Sequence, residues 1–317
     1  EPSKFQRVTR IGALDRGVLG EPGGCLARSG EPDAWIECVI EGRSLIAPSS
    51  LGGMLVGDSI DGVPMRLLLT LVVLGWATTA DAATFRVAQD GTGDFELVQD
   101  AVEAAAAGDT VSIGPGVYPE LRDYPLPGGG TLGFVALVEV DELTIVGDGR
   151  DVVVLGPAVQ APNVELGPTG IATRPGKNVR VSGVTVRNVS AGVNPNGEWA
   201  EISDSRFVGC DDGVRSVLTG FLTVSRVEAL ESLGSGVVVF RAAGGTGARI
   251  DDSIFADSLQ FGVDVQTDNS SISNCLFERN TVALQVSFGG SAEIADCRFV
   301  DSVNVDLPVV NGAAATL

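Results

Sequence analysis

Six side chains in the second half of the chain have the types and spacing for shared chemistry. Glu201, Asp251 and Glu293 supply carboxylates, Arg180 and Arg249 supply guanidinium groups, and Trp199 supplies an aromatic face. A carboxylate can serve as acid, base or nucleophile at a glycosidic bond. A guanidinium hydrogen-bonds oxygen ligands through a fixed fork of donors, and an indole offers an apolar plane with one polar edge. The sequence has no histidine, so Ser-His-Asp and Cys-His catalysis and imidazole metal sites are all excluded. The roles expected on this basis are catalytic for Glu201, Asp251 and Glu293, and substrate-binding for Arg180, Trp199 and Arg249. Against them stands a plainer reading, a solvated, charge-mixed face that keeps the fold soluble.

What must position these residues is a repeat. Val181, Ile202, Val224, Ile250, Ile272 and Ile294 follow one another at steps of 21, 22, 26, 22 and 22 residues. Five residues after each anchor comes Val186, Phe207, Ala229, Phe255, Phe277 or Phe299. A small residue followed by an apolar one recurs further on, as in Gly192-Val193, Gly213-Val214, Gly236-Val237, Gly262-Val263 and Ala283-Leu284. A period of this size that holds short alternating segments, with no 3.6-residue pattern between them, predicts a solenoid with three short strands per turn. Stacked turns pair each strand in parallel with its counterpart about 4.8 Å away, so like residues form ladders inside. Residues next to an inward anchor point outward, which puts Arg180, Glu201, Thr223, Arg249, Ser271 and Glu293 in one column. Glu201 and Arg249, two turns apart, are then roughly 10 Å from each other. The 26-residue step reads as an insertion at "FRAAGGTGARI", and Gly156 to Lys177 as a long loop outside the regular turns.

The N-terminal part carries a different signal. From Met65, "MRLLLTLVVLGWATTADAA" has one positive charge, an apolar run and an Ala-Asp-Ala site, the pattern of a secretory signal peptide over 65–83. Its run of about ten apolar residues is too short to span a bilayer, which takes about 20. Residues 1–64 show no sustained periodicity and precede that signal, so they read as an upstream leader without structure of its own. The working protein is expected to be 84–317, exported to the periplasm, the cell surface or the medium. Its parts are a cap and first turns over 84–120, the loop over 156–177 and regular turns over 179–310. No amphipathic cap follows the turn anchored at Ile294, so the chain is expected to continue past Leu317. From Thr84 onward 31 Asp and Glu against 14 Lys and Arg give a net charge of −17, which argues against nucleic acid and against anionic membranes.

"TFRVAQDGTGDFELVQDAVEAAAAGDTVSIGPGVYPE" and the later "LTIVGDGRDVVVLGP" resemble the N-terminal part of pectin methylesterases and other secreted pectin-lyase-like proteins. Read from the residues, Asp94 caps a helix whose apolar stripe is Phe95, Val98, Ala101, Val102 and Ala105, and Gly108 stops it. Such a helix would plug the open first turn. The resemblance implies a right-handed parallel β-helix, a groove along the outer face of the first strand of each turn, and polysaccharide or a cell-surface glycan as partner. An Asn ladder inside one corner is also implied, with Asn188 and Asn280 at the matching place. The Gln-Asp-Thr-Leu, Asp-Phe-Ile-Phe-Gly and Leu-Gly-Arg-Pro-Trp motifs of methylesterases are absent. "GCDDGV" at 209–214 is similar to the aspartate pair of polygalacturonases but lacks their histidine.

Two function classes follow, a secreted β-helix that binds or processes neutral or esterified polysaccharide, and a non-catalytic surface β-helix that binds partners along its faces. No cofactor is evident. Asp211-Asp212 and Asp251-Asp252 are oxygen donors that a Ca²⁺ ion could use, with turn chemistry as the competing reading. Cys275 and Cys297 share one column a turn apart, where a buried thiol stack is favoured over a disulfide because their side chains point the same way.

Overall fold

The computed structural model describes residues 82–125, 130–160, 167–240, 246–304, 306–309 and 314–316, together with the backbone of 25–27, 35–40 and 43–48. The chain divides into two compact units, Glu1–Thr79 and Ala80–Leu317. In the first, Cys25–Ala27, Trp35–Ile40 and Arg43–Pro48 form a three-stranded antiparallel sheet. This departs from the expectation of an unstructured leader. Runs such as "WIECVI" are rich in β-favouring residues, and strands of three to six residues are too short to show a period. Residues 65–81 of the expected signal peptide lie outside the described residues.

Among the described residues the second unit is a solenoid of three sheets with ten, eight and eight strands, parallel except where Arg122–Pro125 pairs antiparallel with Thr131–Val138. Each regular turn visits them in order, as in Val179–Ser182, Thr185–Arg187 and Ala191–Asn194, before Trp199–Ser203 starts the next. Pairing is in register at the 21- to 22-residue step: Val181 with Ile202, Ile202 with Val224, Ile250 with Ile272 and Ile272 with Ile294. After the long step Phe221 still pairs with Gly247 and Val224 with Ile250, so the insertion leaves the columns intact. Residues 241–245 of that insertion lie outside the described residues. All six anchors are buried.

Inside, the second column stacks its rings, with centroids 5.2 Å apart between Phe255 and Phe277 and 5.1 Å between Phe277 and Phe299. The glycine column exists to admit these rings. A Cβ on Gly262 would stand 2.8 Å from Phe277 Cδ1, and one on Gly192 would stand 2.4 Å from Phe207 Cδ1. Each turn bends at two left-handed residues. Two residues after the anchors these are Gly183, Asp204, Arg226, Asp252, Asn274 and Asp296; seven residues after them they are Asn188, Gly209, Glu231, Asp257, Arg279 and Asp301. For residues other than glycine this conformation costs about 1–2 kcal/mol, less for Asn and Asp. Most of these corner N–H groups are nonetheless bonded along the solenoid, as in Asp204 N to Ser225 O at 3.1 Å and Glu231 N to Ala256 O at 3.0 Å. Side chains join the corners too: Arg226 grips Asp204 with two bonds of 2.7 Å, and Arg279 grips Asp257 with two of 2.8 Å.

Four details differ from expectation. The helix spans Val98–Ala104 and its N-cap is Leu97, with no side-chain bond. Asp94 instead accepts the Arg86 N–H at 2.8 Å and shapes the preceding turn. The helix ends at Ala104, with Ala105 as C-cap, so Gly108 lies beyond it. The 156–177 stretch contains a strand, Thr169–Thr173, paired with Phe134–Val138 on one side and Ala191–Asn194 on the other. Its five residues are buried by those neighbours rather than marked by any local period. Finally, Asn280 lies inside, donating to Phe255 O at 2.8 Å and accepting from Ser258 N at 3.0 Å, whereas Asn188 is itself a corner residue whose amide donates to Pro157 O and Ala158 O.

Candidate functional site on the first sheet

On the outer face of the first sheet, alternation along strands and register across them place side chains on a grid. Its steps are about 4.8 Å between turns and roughly 6.6 Å between alternate residues of one strand. One column runs Thr144, Arg180, Glu201, Thr223, Arg249, Ser271, Glu293. Beside it runs Ser182, Ser203, Ser225, Asp251, Ser273, and at the strand starts Phe221 follows Trp199. Aliphatic anchors turned inward force these residues outward, so all six predicted site residues share this face.

Three of them touch. The Arg180 guanidinium carbon lies 4.3 Å from the centroid of the Trp199 ring, and Arg180 Nε donates to Glu201 at 2.9 Å. The Trp199 backbone is fixed from behind, its N–H donating at 2.9 Å to the side chain of the buried Asn178. Two turns on, Arg249 donates to Asp251 at 3.3 Å. There the Arg249 side chain is 61 % exposed but that of Asp251 only 15 %. Asp251 Oδ1 is buried without a hydrogen-bond partner, a costly state that an incoming donor would relieve.

Glu293 stands apart. Four pairing steps separate it from Glu201, or roughly 19 Å, and diagonal offsets put Asp251 about 12 Å from either one. Paired-carboxylate hydrolysis works at about 5–5.5 Å or about 6.5–9.5 Å. Thus the fold brings Arg180, Trp199 and Glu201 into one cluster and Arg249 and Asp251 into another, but does not converge the three carboxylates.

Phe221 is the residue that sequence reasoning passed over. It is 37 % exposed and pairs with Trp199 one turn on. The signal was available: an aromatic residue recurs 22 positions after Trp199, at the same distance before its anchor.

Both aspartate pairs have side-chain partners. On the third sheet, Arg215 donates to Asp212 at 2.6 Å and to Asp211 at 2.7 Å, so a guanidinium fills the place a cation would need. Burial raises the carboxyl of Asp212 above its ordinary value, an effect that Arg215 partly offsets. Asp252 accepts from the Asn274 amide, and Asp251 faces Arg249. Further along the third sheet, Asp264 is buried and raised by that burial, and it accepts from Gln266, Gln285 and Ser287.

Residues 212–317 match the family described as right handed beta helix region. No curated protein matches the chain. Among solved structures it is similar to the A-module of a mannuronan C-5 epimerase from Azotobacter vinelandii, with 15 % identity over 69 % of this chain and 74 % of that one, at a TM-score of 0.40. It is also similar to a pectin methylesterase from carrot, with 15 % identity over 74 % and 88 % of the two chains and a TM-score of 0.40. A third is an alginate lyase from Paenibacillus sp., with 12 % identity over 73 % and 99 % and a TM-score of 0.39. With the predominantly parallel sheets described above, the second unit is a right-handed parallel β-helix.

Proposed function

We propose that this protein binds neutral or esterified polysaccharide along the outer face of its first sheet. The observation that carries the reading is the cluster of Arg180, Trp199 and Glu201, continued in register by Phe221. It offers apolar ring surface beside charged hydrogen-bonding groups, the combination that sugars require. Serine and threonine fill most neighbouring grid positions, so a chain of hydroxyl-bearing units meets hydroxyl partners along the solenoid axis. From Thr84 onward 31 Asp and Glu against 14 Lys and Arg give a net charge of −17, which repels polyanions and favours uncharged glycans. Wide carboxylate spacing favours binding over two-carboxylate hydrolysis. The pattern at 65–83 supports export, with 84–317 as the mature protein at the cell surface, in the periplasm or in the medium.

A panel of neutral, esterified and anionic polysaccharides tests this by affinity electrophoresis, with mass spectrometry of the soluble fraction. Retardation by neutral or esterified polymers, reduced in Trp199→Ala, is the expected result. No retardation by any of them would overturn the reading in favour of a surface β-helix that binds other partners, and new oligosaccharides would make the protein an enzyme.

A further inference from the structure

Cys275 and Cys297 occupy the same position in successive turns, three residues after Ile272 and Ile294. The flanking strands hold them in register, since Ser273 pairs with Ala295 and Leu276 with Arg298. At the ladder spacing their Cα atoms are about 4.8 Å apart, inside the range of about 4.4–6.8 Å that a disulfide spans. Both are free thiols. Cys275 Sγ donates to Ser273 O at 3.2 Å and Cys297 Sγ to Ala295 O at 3.4 Å, so both side chains fold back the same way. Access differs sharply: Cys275 is 2 % exposed, whereas Cys297 is half-buried.

We propose that Cys297 is a thiol-modification site for small-molecule disulfides and that Cys275 is its resolving partner, so that two adjacent turns become covalently joined. The Cys297 thiolate attacks one sulfur of the reagent disulfide, forming a mixed disulfide and expelling one small thiolate, which takes up a proton. Cys275 then releases its proton to solvent and attacks Cys297 Sγ, and the second small thiolate leaves and is protonated. Two protein thiols are oxidised and one disulfide is reduced to two thiols, so the exchange balances. Cys297 reacts first because it is the accessible member of the pair, and the neighbouring Cys275 lowers its thiol below the ordinary value. The neighbouring Cys297 sulfur and burial raise the Cys275 thiol, which keeps it protonated until Cys297 has reacted. Bond closure needs one sulfur to swing about its Cα–Cβ bond, because a disulfide requires a torsion near 90°.

Full-length protein treated with oxidised glutathione under native conditions provides the test, read by intact mass and peptide mapping. The wild type is expected to yield a linked pair of peptides containing residues 275 and 297. Cys275→Ser should stop at a glutathione adduct on Cys297, and Cys297→Ser should leave Cys275 unmodified. Serine already fills this column at Ser205 and Ser253, where its hydroxyl donates to the carbonyl two residues back at 2.7 Å, so both variants keep the local bonding. An unmodified Cys297 in the wild type would overturn the proposal, as would a lasting Cys297 adduct with no link to Cys275.

Discussion

Arg180 covers one face of Trp199: its guanidinium carbon lies 4.3 Å from the ring centroid while its Nε holds Glu201 at 2.9 Å. The indole is therefore held by a cation–π contact and an ion pair in series. Such contacts at exposed sites are worth about 0.5–1 kcal/mol. On the proposed binding reading, Arg180 is a positioning residue for Trp199 and the indole is the principal sugar contact.

The two residues should accordingly separate in binding. Trp199→Ala is expected to weaken neutral-glycan affinity about tenfold, equivalent to about 1.4 kcal/mol. Arg180→Ala should weaken it less than threefold. Calorimetric titration with the best polymer of the panel measures both, and equal losses would contradict the division of roles.

The glycine column predicts a packing defect. Gly262→Ala would put a Cβ 2.8 Å from Phe277 Cδ1 and 2.4 Å from the Ala283 carbonyl oxygen. Overpacking of this kind costs about 1–3 kcal/mol. Urea unfolding should show a lower midpoint with unchanged slope.

A corner offers the opposite effect. Glu231 has a φ of 56°, and no side-chain hydrogen bond or ion pair holds it among the described residues. Glu231→Gly removes the left-handed penalty of about 1–2 kcal/mol while keeping the N–H bond to Ala256. A gain of about 1 kcal/mol is expected, whereas Arg279→Gly, which also loses the grip on Asp257, should gain less. Thermal unfolding of the two variants side by side provides the comparison.

The buried Asp264 gives a pH signature. Burial raises its carboxyl in the folded state, so the native protein binds its proton more tightly than the unfolded chain does. Its contribution to stability is therefore complete below the ordinary carboxylate value of about 3.9. It declines as pH rises from there through the raised folded value. Asp264→Asn should remove that decline, so the difference in stability between variant and wild type shifts towards the variant as pH rises from 3.5 towards 6. Denaturant unfolding across roughly this range measures it, and a pH-independent difference would count against the burial argument.

Much of this protein was legible in the order of its residues. The steps of 21 and 22 between Val181 and Ile294, lengthened once to 26 by an insertion, determined a parallel solenoid, because like residues must stack once turns of matching length pair in register. The same alternation determined that Arg180, Glu201, Arg249, Asp251 and Glu293 share an outer face, whereas Trp199 joins them only because it opens the strand Trp199–Ser203 instead of lying in a loop. Tertiary structure alone decided which of them meet. Arg180 is 19 residues before Trp199 and 21 before Glu201, and only the pairing of their strands turns those separations into contact. It also decided that Thr169–Thr173 is a strand, since five residues carry no measurable period and their burial comes from the turns on either side. The partner of Asp211 and Asp212 was likewise a matter of space. A charge of −20 says nothing of where one guanidinium will settle, but the bend into the third sheet places Arg215 against both carboxylates.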